Sequence, residues 1–156
     1  NKENKNEQEA VFRQQIKLAC QLNLPLIVHC REAHNEIIKI LQAEKKKYGE
    51  KLRGVIHCFS GRLNQAKAYL ELEFLLGFTG VITFARDYDK VIREVDLESL
   101  LVETDCPYLA PLPYRGQRNE PSYVRYIAEK IAEIKGLNFE QVANITSQNA
   151  KDLFKI

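Results

Sequence analysis

Methionine is absent from the sequence, even at position 1, which implies a fragment or a processed product. Cysteine is scarce and irregularly placed. Cys20, Cys30, Cys58 and Cys106 include no Cys-x-x-Cys pair and none of the close spacings of a disulfide-stapled module, so reduced thiols in a cytoplasmic setting are expected. Neither sign of charge is in excess: 23 Lys and Arg face 21 Asp and Glu, for a net charge of +2. That balance excludes a polybasic arm or membrane anchor as the defining feature, although a local basic patch remains open. Long hydrophobic runs are missing as well. The most apolar stretch, 74–84, contains two glycines and two threonines and falls far short of the roughly 18–20 residues of a membrane helix. The polar stretch 1–9 lacks the apolar core of a secretory signal. What is present is 156 residues, 45% hydrophobic and 28% charged, which predicts one globular domain over 1–156 with a sizeable core.

From Glu7 to Leu22, Val11, Leu18 and Leu22, flanked by Phe12, Ile16 and Ala19, recur at helical spacing and predict an amphipathic helix. Pro25 stops it, and 24–30 is a nearly continuous apolar run of the kind shown by a parallel strand buried on both faces. The alternation continues with a helix over 33–46, a strand at 54–59, a helix near 64–72, a strand within 74–84, a short helix near 87–94 and a strand at 99–104. A proline-rich loop then leads to a helix over 121–135 and two short closing helices. Asn138 with Gln141 makes a capping box for the first of these, and Thr146 is the expected N-cap of the second.

Strands alternating with helices predict an α/β fold with a parallel sheet joined by right-handed crossovers. Four strands are half of the eight that a (β/α)₈ barrel of roughly 250 residues needs. Half a barrel leaves two sheet edges unpaired. It calls for a second half or a second copy of the chain, unless the sheet is a small open one.

Three of the four strands end in a residue that binds metals well: His29, His57 and, after Val102, the pair Glu103 and Asp105. In parallel α/β folds the carboxyl ends of the strands gather at one face, where active sites sit. Two neutral imidazoles and a carboxylate form a first shell for Zn²⁺ or a similar divalent ion. Such a shell leaves a position open for a water whose pKa the ion lowers toward neutrality. One histidine at a strand end reads most simply as an ordinary hydrogen-bonded residue. Three such residues at three strand ends favour a shared metal site of His29, His57 and Asp105.

Glu103, two residues before Asp105, points to the same side by strand alternation. Direct binding and support of a ligand both remain open for it. By the same alternation Cys30, Cys58 and Cys106 point away and should pack under the helices, while His34, in a first helical turn, reads as solvent-facing. In the loop 113–121, Arg115 and Arg118 are candidates for holding a phosphate and Tyr114 for stacking on a base. The alternative there is a solvated loop with an Asn or Glu cap before Pro121. Ser60 is a candidate substrate contact in a turn that Ser-Gly alone would explain.

In His29-Cys30-Arg31-Glu32-Ala33, His57-Cys58-Phe59-Ser60-Gly61, Glu103-Thr104-Asp105-Cys106-Pro107 and Arg115-Gly116-Gln117-Arg118-Asn119-Glu120-Pro121, the sequence resembles the TatD family of metal-dependent deoxyribonucleases. The four motifs occur in matching order across essentially the whole chain. The resemblance implies a TIM-barrel hydrolase with one or two divalent ions (Mg, Mn or Zn), cleaving phosphodiesters in DNA, often from a 3′ end. It implies metal ligation by His29, His57 and Asp105, with Glu103 at the catalytic centre; Asp105 is also expected to act on the attacking water, and Arg31, Ser60, Arg115 and Arg118 are the expected substrate contacts. The family pattern also begins with a His-x-His strand and a further metal-binding Glu. Neither is found here, so the chain resembles the C-terminal half of a member, with about half of the barrel. The expected partners are single-stranded DNA or 3′ ends, together with self-association or pairing with the absent half. Two other readings remain: hydrolysis of a small ester, amide or phosphoester by the same site, and an inactive half-barrel.

Overall fold

Residues Phe12, Ile16 and Cys20 fall on one face of helix α1 (Lys5–Leu22), and Ile16 and Cys20 are buried. Of the apolar positions that predict the helix, Val11, Leu18 and Leu22 are exposed. Two apolar stripes compete on this helix, and the one that wins lies against helix α2 (His34–Tyr48), where Arg13 pairs with the buried carboxylate of Glu44. The computed structural model describes residues 4–156, so the first three residues of the polar stretch 1–9 lie outside the described residues.

The apolar runs form strands β1 (Leu26–His29), β2 (Gly54–His57), β3 (Phe74–Phe78) and β4 (Leu100–Val102), all parallel and ordered β1-β2-β3-β4. They are shorter than the runs that predict them, because each chain turns away once its polar residue is reached. The register aligns Val28 with Ile56, Ile56 with Leu76 and Leu76 with Leu100, one continuous row of the main core. Helices α2, α3 (Leu63–Leu70), α4 (Asp89–Glu94) and α5 (Val124–Lys135) follow the strands, and α2, α3, α4 and α5 each add buried residues to that core.

On the other face, Val55 and Leu101 pack with Leu153 of helix α6 (Phe139–Phe154). Ile27, on that face of the edge strand β1, is left 64% exposed. Alternation places the His29 and His57 side chains on this second face, one step further toward the strands' carboxyl ends.

Helix α6 is continuous where two short helices were expected. Its capping box is formed, with the Gln141 N–H donating to Asn138 Oδ1 at 2.8 Å and the Asn138 N–H to Gln141 Oε1 at 3.2 Å. Thr146 lies inside the helix, buried, and its hydroxyl donates to the Val142 carbonyl at 2.8 Å, so it caps nothing. That back-bond satisfies the hydroxyl without breaking the helix. Among the described residues no helix is long and apolar enough to cross a membrane, and all four cysteines are free.

Candidate metal centre at the carboxyl ends of the strands

Three residues just beyond the strands, Glu32, Cys58 and Asp105, adopt left-handed backbone conformations with φ of 57°, 47° and 55°. Non-glycine residues visit this region at a cost that surrounding contacts must offset, and such residues cluster at functional sites. Here they bend the chain away from the sheet and leave His29, His57 and Asp105 at its rim.

His29 and His57 are register partners on β1 and β2, with ring centroids 5.9 Å apart. His57 Nδ1 lies 2.7 Å from Glu103 Oε2, and the Cys58 N–H donates to Glu103 Oε1 at 2.6 Å. A carboxylate can only accept, so the neutral ring keeps its proton on Nδ1. Its Nε2 lone pair then faces Asp105 Oδ1 at 3.5 Å. Two electron-pair donors thus face each other. That is the arrangement a cation bridges, since two ligands of a tetrahedral ion at about 2.0–2.1 Å stand about 3.3 Å apart. The donor set fits a divalent ion in this respect.

The closure expected from the sequence is incomplete. Among the described residues no group of three or more His, Cys, Asp or Glu side chains is close enough to hold one ion. His57 and Asp105 are brought together, while His29, on the edge strand, is exposed and stands beside them. Glu103 has both oxygens committed, one to His57 and one to the Cys58 amide. Both contacts tie Glu103 to His57 and to the turn that follows it. Strand alternation also does not extend to Asp105, because β4 ends at Val102 and the chain bends at Asp105. Glu103 and Asp105 instead approach opposite nitrogens of the same imidazole.

Gly77 makes this reach possible. A Cβ there would sit 2.5 Å from Glu103 Oε1 and 2.8 Å from its Cδ, so the bare backbone of β3 is the floor over which Glu103 crosses to His57. Glycine inside a strand marks a close approach, and that is the signal within 74–84 that points to this position.

The other candidates are exposed or make contacts of their own. Arg31 and Arg118 are exposed, and Arg115 is exposed with its guanidinium 4.0 Å from the centroid of the Phe84 ring. Ser60 Oγ lies 3.3 Å from His34 Nε2 and 3.4 Å from the Cys30 carbonyl, at the rim beyond β2. Tyr114 stacks on Tyr123 at 4.2 Å, so one face of its ring is occupied within the protein.

His34 is buried, not solvent-facing. Its Nδ1 lies 3.1 Å from the Tyr69 hydroxyl, and burial pushes its pKa below the ordinary value. Cys30 is buried as expected. Cys58 is half-buried beside Thr79, with its thiol pKa pushed up by burial and by the nearby Glu103 and Asp105 charges. Cys106 is exposed, against expectation, because it follows the bend at Asp105 and precedes no helix. Asn119 turns inward and does not cap 121–135. No periodicity in the sequence reveals that.

A family model described as "TatD related DNase" matches residues 1–155. Among curated relatives, the uncharacterized metal-dependent hydrolase YabD of Bacillus subtilis is 47% identical over 97% of this chain and 59% of its own length. A protein of Escherichia fergusonii named 3′-5′ ssDNA/RNA exonuclease TatD is 35% identical over 96% of this chain and 59% of its own length. Among solved structures, the TatD homolog YJJV of Escherichia coli superposes with a TM-score of 0.88 at 29% identity, over 97% of this chain and 57% of that one. The chain therefore spans less than two thirds of the length of each of these relatives.

Proposed function

The chain belongs to the TatD-related DNase family, and from that premise we propose that it serves a metal-dependent hydrolase that cleaves phosphodiester bonds in single-stranded DNA from the 3′ end. The observation that carries the reading is the His57 Nε2 to Asp105 Oδ1 separation of 3.5 Å, with the other face of the imidazole held by Glu103. His57 and Asp105, with His29 beside them, would hold a divalent ion. When bound, such an ion supplies Lewis acidity toward a phosphoryl oxygen and lowers the pKa of a water.

The chain's own residues do the rest. Glu103 fixes the His57 tautomer so that Nε2 presents its lone pair, an outer contact that both orients a ligand and raises its basicity. Asp105 presents its carboxylate oxygen to the same point and can accept a proton from an attacking water. The exposed guanidinium groups of Arg31, Arg115 and Arg118 match phosphate oxygens in charge and geometry, and Ser60 adds a hydroxyl at the rim. In this reading the four-stranded sheet is a segment of a TIM barrel within one α/β domain. A cytoplasmic location belongs to the same proposal, since four free cysteines suit a reducing compartment.

The test is nucleotide release from a 3′-labelled single-stranded oligonucleotide with Mg²⁺, Mn²⁺ or Zn²⁺, with and without chelator. Metal-dependent release that is lost in Asp105→Ala is the expected result. Turnover of small esters without turnover of the oligonucleotide would replace the nuclease by a small-molecule hydrolase. Full activity in Asp105→Ala would remove the site.

A further inference from the structure

Asp105 is fixed from a distance. The loop after β4 carries it at φ 55°, and Leu109 repeats the left-handed conformation at φ 55°. The Tyr108 N–H donates to the Asp105 carbonyl at 3.0 Å, closing a tight turn over 105–108. Asn119, only 2% exposed, lies beneath this turn. Its Nδ2 donates to the Thr104 carbonyl at 2.7 Å and to the Tyr108 carbonyl at 2.6 Å, and its Oδ1 accepts the Glu120 N–H at 2.9 Å. Its own backbone N–H donates to the Pro107 carbonyl at 3.1 Å. A primary amide has two N–H donors, and here each meets one of the two carbonyls that flank the turn.

We propose that Asn119 is a positioning residue for Asp105: its side-chain amide clamps the Thr104 and Tyr108 carbonyls and so holds the Asp105 carboxylate toward His57. The Thr104 carbonyl belongs to the peptide plane immediately before Asp105, so pinning that plane restrains φ at Asp105 itself. The Tyr108 carbonyl pins the far end of the turn. A left-handed non-glycine residue persists only where its surroundings over-determine it, and a buried amide with both hydrogens engaged supplies that restraint. The consequence for metal binding rests on Asp105 being a ligand, as proposed above. The clamp itself does not.

In the metal-free intact protein, scalar couplings across hydrogen bonds should connect Asn119 Nδ2 to the carbonyl carbons of both Thr104 and Tyr108. Their absence would overturn the clamp, whatever any variant does. Asn119→Asp keeps the size and the acceptor but loses both donors. It should move the backbone carbon shifts of Asp105 away from left-handed values and weaken Mn²⁺ binding roughly 10- to 100-fold, the usual effect of losing an outer-sphere support. Val142→Ala, a core variant on α6, should lower thermal stability while leaving the Asp105 shifts and the Mn²⁺ affinity as they are. Unmoved Asp105 shifts in Asn119→Asp would overturn the proposal. Shifts that move while Mn²⁺ affinity stays constant would uphold the clamp and refute Asp105 as a metal ligand, so the two failures are distinguishable.

Discussion

His57 is held at Nδ1 by Glu103 and faces Asp105 with Nε2, and the Glu103 side makes a prediction of its own. On the Glu103 side, the backbone at Gly77 is not in the left-handed region, and the three atoms nearest an added Cβ all belong to the Glu103 carboxylate. Gly77→Ala should therefore displace Glu103, remove the acceptor from His57 Nδ1 and lower Mn²⁺ affinity roughly 10- to 100-fold. Isothermal titration of the variant checks this, and undiminished affinity would show that Glu103 does not position His57.

His34 makes a different prediction, about pH. Burial holds its pKa below the ordinary 6.5, so the folded protein favours the neutral ring while the unfolded chain takes up a proton at higher pH. More protons are then bound in the unfolded state, and stability falls as pH drops below about 6.5 toward the folded-state pKa. Urea denaturation at a series of pH values between about 7.5 and 5.5 should show that decline, and His34→Gln should flatten it. Equal slopes in both proteins would mean that other groups carry the pH dependence. The position of His34 in a first helical turn is visible in the sequence. Its burial is not, because it depends on Tyr69 and Ser60 arriving from other elements.

Elements are where the sequence is most informative and also where it misleads. All four strands are legible because each is an apolar run that meets no polar residue until it leaves the sheet, even on the open face of the edge strand β1, so His29 and His57 mark their own strand ends. The buried face of α1 is not legible. Its two apolar stripes have similar spacing, and only the position of α2 decides between them. The unity of α6 is hidden for a related reason: Thr146 is a good N-cap type in isolation but is accommodated inside the helix by its bond to Val142. The capping box of α6 is local and is read correctly. Asn138→Ala should cost about 1 kcal/mol in chemical denaturation, the usual loss for an N-cap of this kind. A change within error would mean that packing of Val142 and Leu153, not the cap, sets the start of this helix.

At the scale of the whole molecule, a parallel sheet does what none of its elements does alone. It brings Glu103 and Asp105, just beyond β4, to the imidazole of His57 on the non-adjacent β2. The general location of the site follows from strand order and polarity, which the alternation of elements already implies. The floor beneath it at Gly77 is signalled only by a glycine inside a strand, and the clamp behind it at Asn119 depends on a side chain reaching across a neighbouring segment, which no spacing rule encodes. The β1 edge bears exposed Ile27 and His29, and the arrangement of donors is open on that side. The central claim is that His57 offers Nε2 to a divalent ion shared with Asp105, and ¹⁵N spectroscopy of the His57 ring during a Zn²⁺ titration tests it most directly. The account predicts a metal-free ring protonated on Nδ1, an Nε2 resonance that moves on addition of Zn²⁺, and a response in Asp105→Ala that requires far more metal. An Nε2 resonance indifferent to Zn²⁺, or a ring protonated on Nε2, would contradict it.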